Sequence, residues 1–97
     1  MVRPIKPRYL YANPKVYYFK PQGIPLRLLQ EVVLDCDEFE ALKLHDCDNL
    51  NQTEAAKKMN ISQPTFGRIL DRAYKKIAQA LVLGKAIKIE DKSKKIM

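Results

Sequence analysis

The sequence predicts a mainly α-helical domain: three core helices carrying a helix-turn-helix, plus a small β element drawn from the N- and C-terminal segments. Three observations predict it. Apolar residues recur at the 3.6-residue period from Phe66 to Leu81 (Phe66, Ile69, Leu70, Ala73, Tyr74, Ile77, Ala80, Leu81), as one buried face of a helix requires. Asp35 with Glu38, and Asn51 with Glu54, repeat the spacing by which a cap residue and the third helical residue satisfy each other's free N–H groups. Val16–Lys20 is aromatic and β-branched at its start, and Lys85–Glu90 alternates, which are strand patterns.

A chain of 97 residues makes one domain with a modest core. Residues 1–15 read as an extended basic arm, because Pro4, Pro7 and Pro14 block helix and central strand. Residues 16–90 form the domain and 91–97 a lysine-rich tail. Residues 21–25 make a turn, Pro25 opens a short helical turn, and residues 31–34 form a second strand. The first helix starts at Asp35, where clustered acids suit the positive helix end, with Phe39, Ala41, Leu42 and Leu44 facing inward. Residues 48–50 connect it to a helix running from Asn51 to Met59. Asn60, tolerant of the left-handed conformation, ends that helix; Ser62 caps the next, with Pro64 in its first turn, and Gly84 stops it. Val82 and Leu83 fall off the buried stripe, so either the 85–90 strand or a second subunit must cover them.

The net charge of +7 is unevenly spread. Residues 35–48 hold six acids against Lys43 alone, a local balance of −5, which leaves +12 for the rest. A basic body with one acidic element suits a polyanion met by one face, although a solvated surface has the same composition. Two cysteines are too few for a disulfide framework. No run is apolar enough to span a bilayer, and the N-terminal M-V-R-P-I-K-P-R lacks the apolar stretch of a secretory signal. A soluble cytoplasmic protein with no membrane partner is expected.

Residues 52–71 carry the functional motif. Two helices crossing steeply over a short turn need a small residue at closest approach, a residue at ease with positive φ in the turn, and a shared apolar core. Ala56, Asn60, and Ala55, Met59, Ile61, Phe66 and Ile69 supply these, as in a DNA-binding helix-turn-helix rather than a plain helical hairpin. The outward face of the third helix then follows. Gln63 and Arg68 have the chemistry to read base edges, and Gly67 lets the helix approach the groove floor. Ser62, Thr65, Arg72, Lys75 and Lys76, with Lys57 and Lys58 on the second helix, suit the DNA backbone, although each lysine could simply be solvated. An i,i+4 pair with Lys75 would neutralise Asp71. About four to six phosphate contacts imply a log–log salt slope near −4 to −5. Arg3, Lys6 and Arg8 in the arm resemble minor-groove arms, or else only keep the terminus soluble.

Other chemistry finds little support. His45, Cys47 and Cys36 lack a fourth ligand and Cys-x-x-Cys spacing, so no metal is expected; the cysteines read as structural and the histidine as solvated. The three glycines are scattered, so no phosphate-cradling loop forms, and no cofactor is expected. The acidic cluster reads as a solvated helix start rather than paired catalytic carboxylates. No enzyme activity is expected.

Tyr18-Phe-Lys-Pro-Gln-Gly-Ile-Pro-Leu-Arg27, Glu31-Val-Val-Leu34, Asp37-Glu-Phe-Glu-Ala-Leu-Lys-Leu44, Pro64-Thr-Phe-Gly-Arg-Ile69 and Leu83-Gly-Lys-Ala-Ile-Lys-Ile89 resemble uncharacterised protein family 0251, the domain of unknown function 134 group. The resemblance covers nearly the whole chain. It implies a prokaryotic DNA-binding regulator whose helix-turn-helix is similar to that of sigma factors. Gln63 stands where such proteins often have arginine after the capping serine, and the extra cysteines some carry near the arm are lacking here.

The reading is therefore sequence-specific binding of double-stranded DNA by a homodimeric transcriptional regulator. The alternatives are a protein module that contacts RNA polymerase or another partner through the acidic 35–48 helix, and an RNA-binding protein. Stacking on Tyr17, Tyr18 and Phe19 would favour RNA; burial of those rings would count against it.

Overall fold

The β element is a three-stranded sheet in the order β1-β3-β2, with β1 at Tyr18–Phe19, β2 at Glu31–Leu34 and β3 at Ala86–Ile89. The computed structural model describes residues 8–91. β1 is antiparallel to β3; β2 is parallel to it, with Val32 opposite Ile87 and Leu34 opposite Ile89. A parallel pair needs a long crossover, which the helical region supplies. β1 is only two residues long because Pro21, just beyond it, has no N–H to offer a ladder. Along β2, Val32 and Leu34 are buried while Glu31 and Val33 are exposed, the alternation of a half-covered sheet.

Between the strands lie α1 (Cys36–Leu42), α2 (Gln52–Met59) and α3 (Gln63–Leu83). Both capping boxes form. Asp35 Oδ1 accepts from the Glu38 N–H and Glu38 Oε1 from the Asp35 N–H, each at 2.9 Å; Asn51 and Glu54 do the same at 2.8 and 3.2 Å. Ser62 Oγ accepts from the Thr65 N–H, with Pro64 in the first turn of α3. Asn60 takes the left-handed conformation at φ 60°, as a three-residue turn between α2 and α3 demands, and Gly84 does so at the end of α3. A π-helical turn, Lys43–Cys47, extends α1 and has no counterpart in the apolar pattern. It turns Leu44 into the core.

The main core joins Ala41 and Leu44 to Ala55, Ala56 and Met59 of α2 and to Phe66, Ile69 and Leu70 of α3. A smaller cluster of Leu34, Ala73 and Ile89 fastens the sheet to α3, with Phe39, Leu42, Ile77 and Ile87 packed on it. The stripe on α3 is shorter than its period implies. Tyr74 and Leu81 are exposed, whereas Ala73 and Ile77 pack against Leu34, Ile87 and Ile89 of the sheet.

The acidic start of α1 is not solvated. Glu38 and Glu40 are buried at 0% and 2% exposure. Besides its capping role, Glu38 accepts from Lys76 Nζ at 2.7 Å and from Arg72 Nε at 3.3 Å, which clamps α1 onto α3. Glu40 Oε1 accepts from the Ala12 N–H at 2.8 Å, Arg8 pairs with Asp37, and the Tyr9 N–H donates to the Met59 carbonyl at 3.1 Å. Residues 8–12 are thus docked on the helices and do not form a free arm. Nor is His45 solvated: its Nδ1 bonds to the Leu50 carbonyl at 2.7 Å and its ring meets the edge of Phe66. Tyr74 donates to Asp46; burial first, and that carboxylate second, push its hydroxyl up to about 12. Local sequence shows none of these long-range partners, so the acids and the histidine read as surface groups.

Candidate nucleic-acid interface

Once Phe66, Ile69, Leu70 and Ala73 are buried, the 100° advance per residue fixes what α3 presents outward. Gln63, Pro64, Arg68, Asp71, Arg72 and Lys75 are exposed along its N-terminal half, and Ser62 at its cap. Thr65 is half-buried, held as a hydroxyl acceptor by Ser62 at 2.9 Å. Lys57 and Lys58 are exposed in the last turn of α2. No ion pair joins Asp71 to Lys75 among the described residues.

Two of the five cationic candidates for backbone contact are engaged elsewhere. Lys76 is half-buried, and its ammonium is shared between Glu38 and the Val33 carbonyl, 2.7 Å from each. Arg72 gives its Nε to Glu38 but keeps a half-exposed side chain. Lys76 is structural in this arrangement, and Arg8 is occupied by Asp37. Arg3 and Lys6 lie outside the described residues.

Gln52, unremarked in the sequence reading, belongs to this surface. From the first turn of α2 its Oε1 accepts from Gln63 Nε2 at 3.0 Å, so the two helices present a joined pair of amides beside the turn. A glutamine at the start of the second helix was the available signal, but its partner eleven residues on becomes visible only with the crossing angle. Gly67 sits next to this pair. A methyl group there would lie 3.5 Å from Gln52 Oε1, an ordinary contact, and no positive φ demands glycine. Nothing among the described residues explains its lack of a side chain in the second turn of α3, where glycine costs about 1 kcal/mol relative to alanine.

Of the acids in 35–48, Glu38 and Glu40 are buried, whereas Asp46 and Asp48 stay exposed beside a bonded neighbour. Asp37 has Arg8, Asp46 has Tyr74 and Asp48 has Lys43 at 2.7 Å. Tyr17, Tyr18 and Phe19, by contrast, keep two-fifths to one-half of their area in solvent, with Lys88 Nζ 5.9 Å from the Tyr18 ring centroid. Among the described residues no group of three His, Cys, Asp or Glu side chains is placed to hold a metal ion, and no helix is long and apolar enough to cross a membrane.

The family model for the protein of unknown function DUF134 matches residues 1–96. The chain belongs to this family. A UPF0251 protein of Caldanaerobacter subterraneus subsp. tengcongensis is 50% identical over 99% of this chain and 81% of its own length. Another, from Desulfosudis oleivorans, is 53% identical over 93% of this chain and 65% of its own. A third, from Dehalococcoides mccartyi, is 54% identical over 93% and 77%. The chain thus spans 65% to 81% of the length of these DUF134 relatives. No solved structure matches it.

Proposed function

We propose that this DUF134 protein is a cytoplasmic transcriptional regulator that binds double-stranded DNA, without catalysis, by setting the N-terminal half of α3 into the major groove. The observation that carries the reading is the outward face of α3. Bare Gly67 stands beside the amide pair Gln52–Gln63 and next to the exposed Arg68, on a helix joined to α2 through the left-handed Asn60 and packed on it in the core. Long polar groups around a side-chain-free spot suit base edges approached closely. Lys57, Lys58, Lys75 and the half-exposed Arg72 flank it, where phosphates would lie.

Gly67→Ala separates this reading from an internal role. The substitution is expected to stabilise the fold by about 0.5–1 kcal/mol in urea denaturation, since the helix gains alanine without a clash. It is also expected to weaken duplex binding by about fivefold or more, as an added methyl does at a close-packed contact. Stabilisation with unchanged binding would remove Gly67 from the interface. The half-exposed rings of Tyr17, Tyr18 and Phe19 favour a second reading, binding of single-stranded RNA on the sheet. Competition of a labelled duplex by single-stranded RNA decides between them. RNA displacing the duplex more effectively than unlabelled duplex, with Tyr18→Ala removing that advantage, would favour the sheet.

A further inference from the structure

Two apolar features lie side by side away from the α3 face just described. One is a groove of about 560 Å³ between α1, α3 and the sheet, lined by Phe19, Leu42, Ile77 and Ile87 among others. The other is a ridge on the last turns of α3, where Leu81 and Val82 are 76% and 81% exposed. A smaller hollow, which also has Phe19 and Ile87 in its wall, runs from the groove to Leu81, so the groove and the Leu81 side of the ridge form one continuous surface. Apolar area of this kind gains from being covered, at about 25 cal/mol per Å².

The two ends of this surface differ in charge. Asp46 stands at the groove end, beside the Lys43–Asp48 pair; Lys20 and Lys85 stand at the ridge end. A two-fold axis through the middle brings the ridge of each copy to the groove of the other, and the lysine end of each to the Asp46 end of its partner. Side-by-side association without that reversal would leave like ends together. We propose that this face is a homodimer interface in which Leu81 of each copy fills the Phe19–Ile77–Ile87 groove of the other.

The interface stands independently of the DNA reading, because it uses the opposite end of α3. It does have a consequence for that reading. Leu81 lies thirteen residues beyond Arg68 on α3, about 20 Å at 1.5 Å per residue. Two reading faces could then stand up to about 40 Å apart, a span that includes the roughly 34 Å between half-sites one DNA turn apart.

Sedimentation velocity of the full chain, free of nucleic acid, from low to high micromolar concentration at physiological salt, tests the proposal. The wild type is expected to pass from monomer to dimer. Leu81→Glu, at an exposed position, should keep its circular dichroism and weaken dimerisation at least about tenfold. Asp46→Lys and Lys85→Glu should each weaken it, and the double variant should recover most of the loss, as opposite charges meeting across an interface do. A wild type monomeric throughout would overturn the proposal and leave the groove to a different partner. So would a Leu81→Glu variant that dimerises like the wild type. Two charge variants that do not rescue one another would overturn the two-fold arrangement.

Discussion

Raising salt from about 50 to about 200 mM is expected to weaken duplex binding about 150-fold per protomer. The magnitude follows from counterion release: each phosphate neutralised contributes about −0.9 to the log–log slope. Before the fold is considered, four to six contacts are expected. Lys76 is then withdrawn by Glu38 and Val33, and Arg8 by Asp37. Among the described residues Lys57, Lys58, Arg72 and Lys75 remain, which gives a slope of about −3.6. A dimer engaging both reading faces doubles it. Fluorescence anisotropy across a salt series measures the slope directly. Lys76→Ala should leave it unchanged while loosening the α1–α3 clamp, and a slope near zero would mean that phosphates are not the partner.

Phe66→Ala is expected to cost about 3–5 kcal/mol of stability. Phe66 is fully buried in the cluster where α1, α2 and α3 meet, and it also makes the T-shaped contact with the His45 ring. Its neighbours include Ala41, Ala55 and Ala56, whose short side chains cannot swing in to fill a cavity. A domain of this size has about 5–15 kcal/mol in all, so the variant should be marginal or unfolded at 37 °C. Phe66→Leu, which keeps much of the volume, should cost far less. Urea denaturation followed by circular dichroism gives both values. A loss under about 1 kcal/mol for Phe66→Ala would mean that this cluster does not hold the helices together.

What the sequence reveals about this molecule is whatever depends on neighbours. The caps at Asp35, Asn51 and Ser62, the turn at Asn60, the stop at Gly84 and the stripe through Phe66, Ile69 and Leu70 are short-range patterns, and each can be read from a few residues. The reach of Glu38 to Arg72 and Lys76, of Glu40 to Ala12 and of Asp46 to Tyr74 spans at least 28 residues, and no local pattern carries it. For this reason the acids of 35–48 resemble a solvated helix start, and Lys76 a phosphate contact. The same limit hides the parallel pairing of β2 with β3 and the bond from Gln52 to Gln63. Gln63, Gly67 and Arg68 are legible as an outward face because the buried stripe of α3 fixes its opposite side. The exposure of Leu81 is not, since the helix period cannot tell where the covering sheet stops.

The most direct test of the DNA reading compares Arg68→Ala with Lys75→Ala on two duplexes, one selected by the wild type from a random pool and one scrambled. Arg68, beside Gly67, is placed for a base edge, whereas Lys75 lies two turns further along the same exposed face, where the DNA backbone would pass. Arg68→Ala is expected to lose about 1–3 kcal/mol on the selected duplex and little on the scrambled one, flattening preference at one or two base pairs. Lys75→Ala should weaken both alike and reduce the salt slope by about one. Enrichment of no motif from the pool, or an Arg68→Ala variant that retains the full preference of the wild type, would contradict direct reading of DNA by this face.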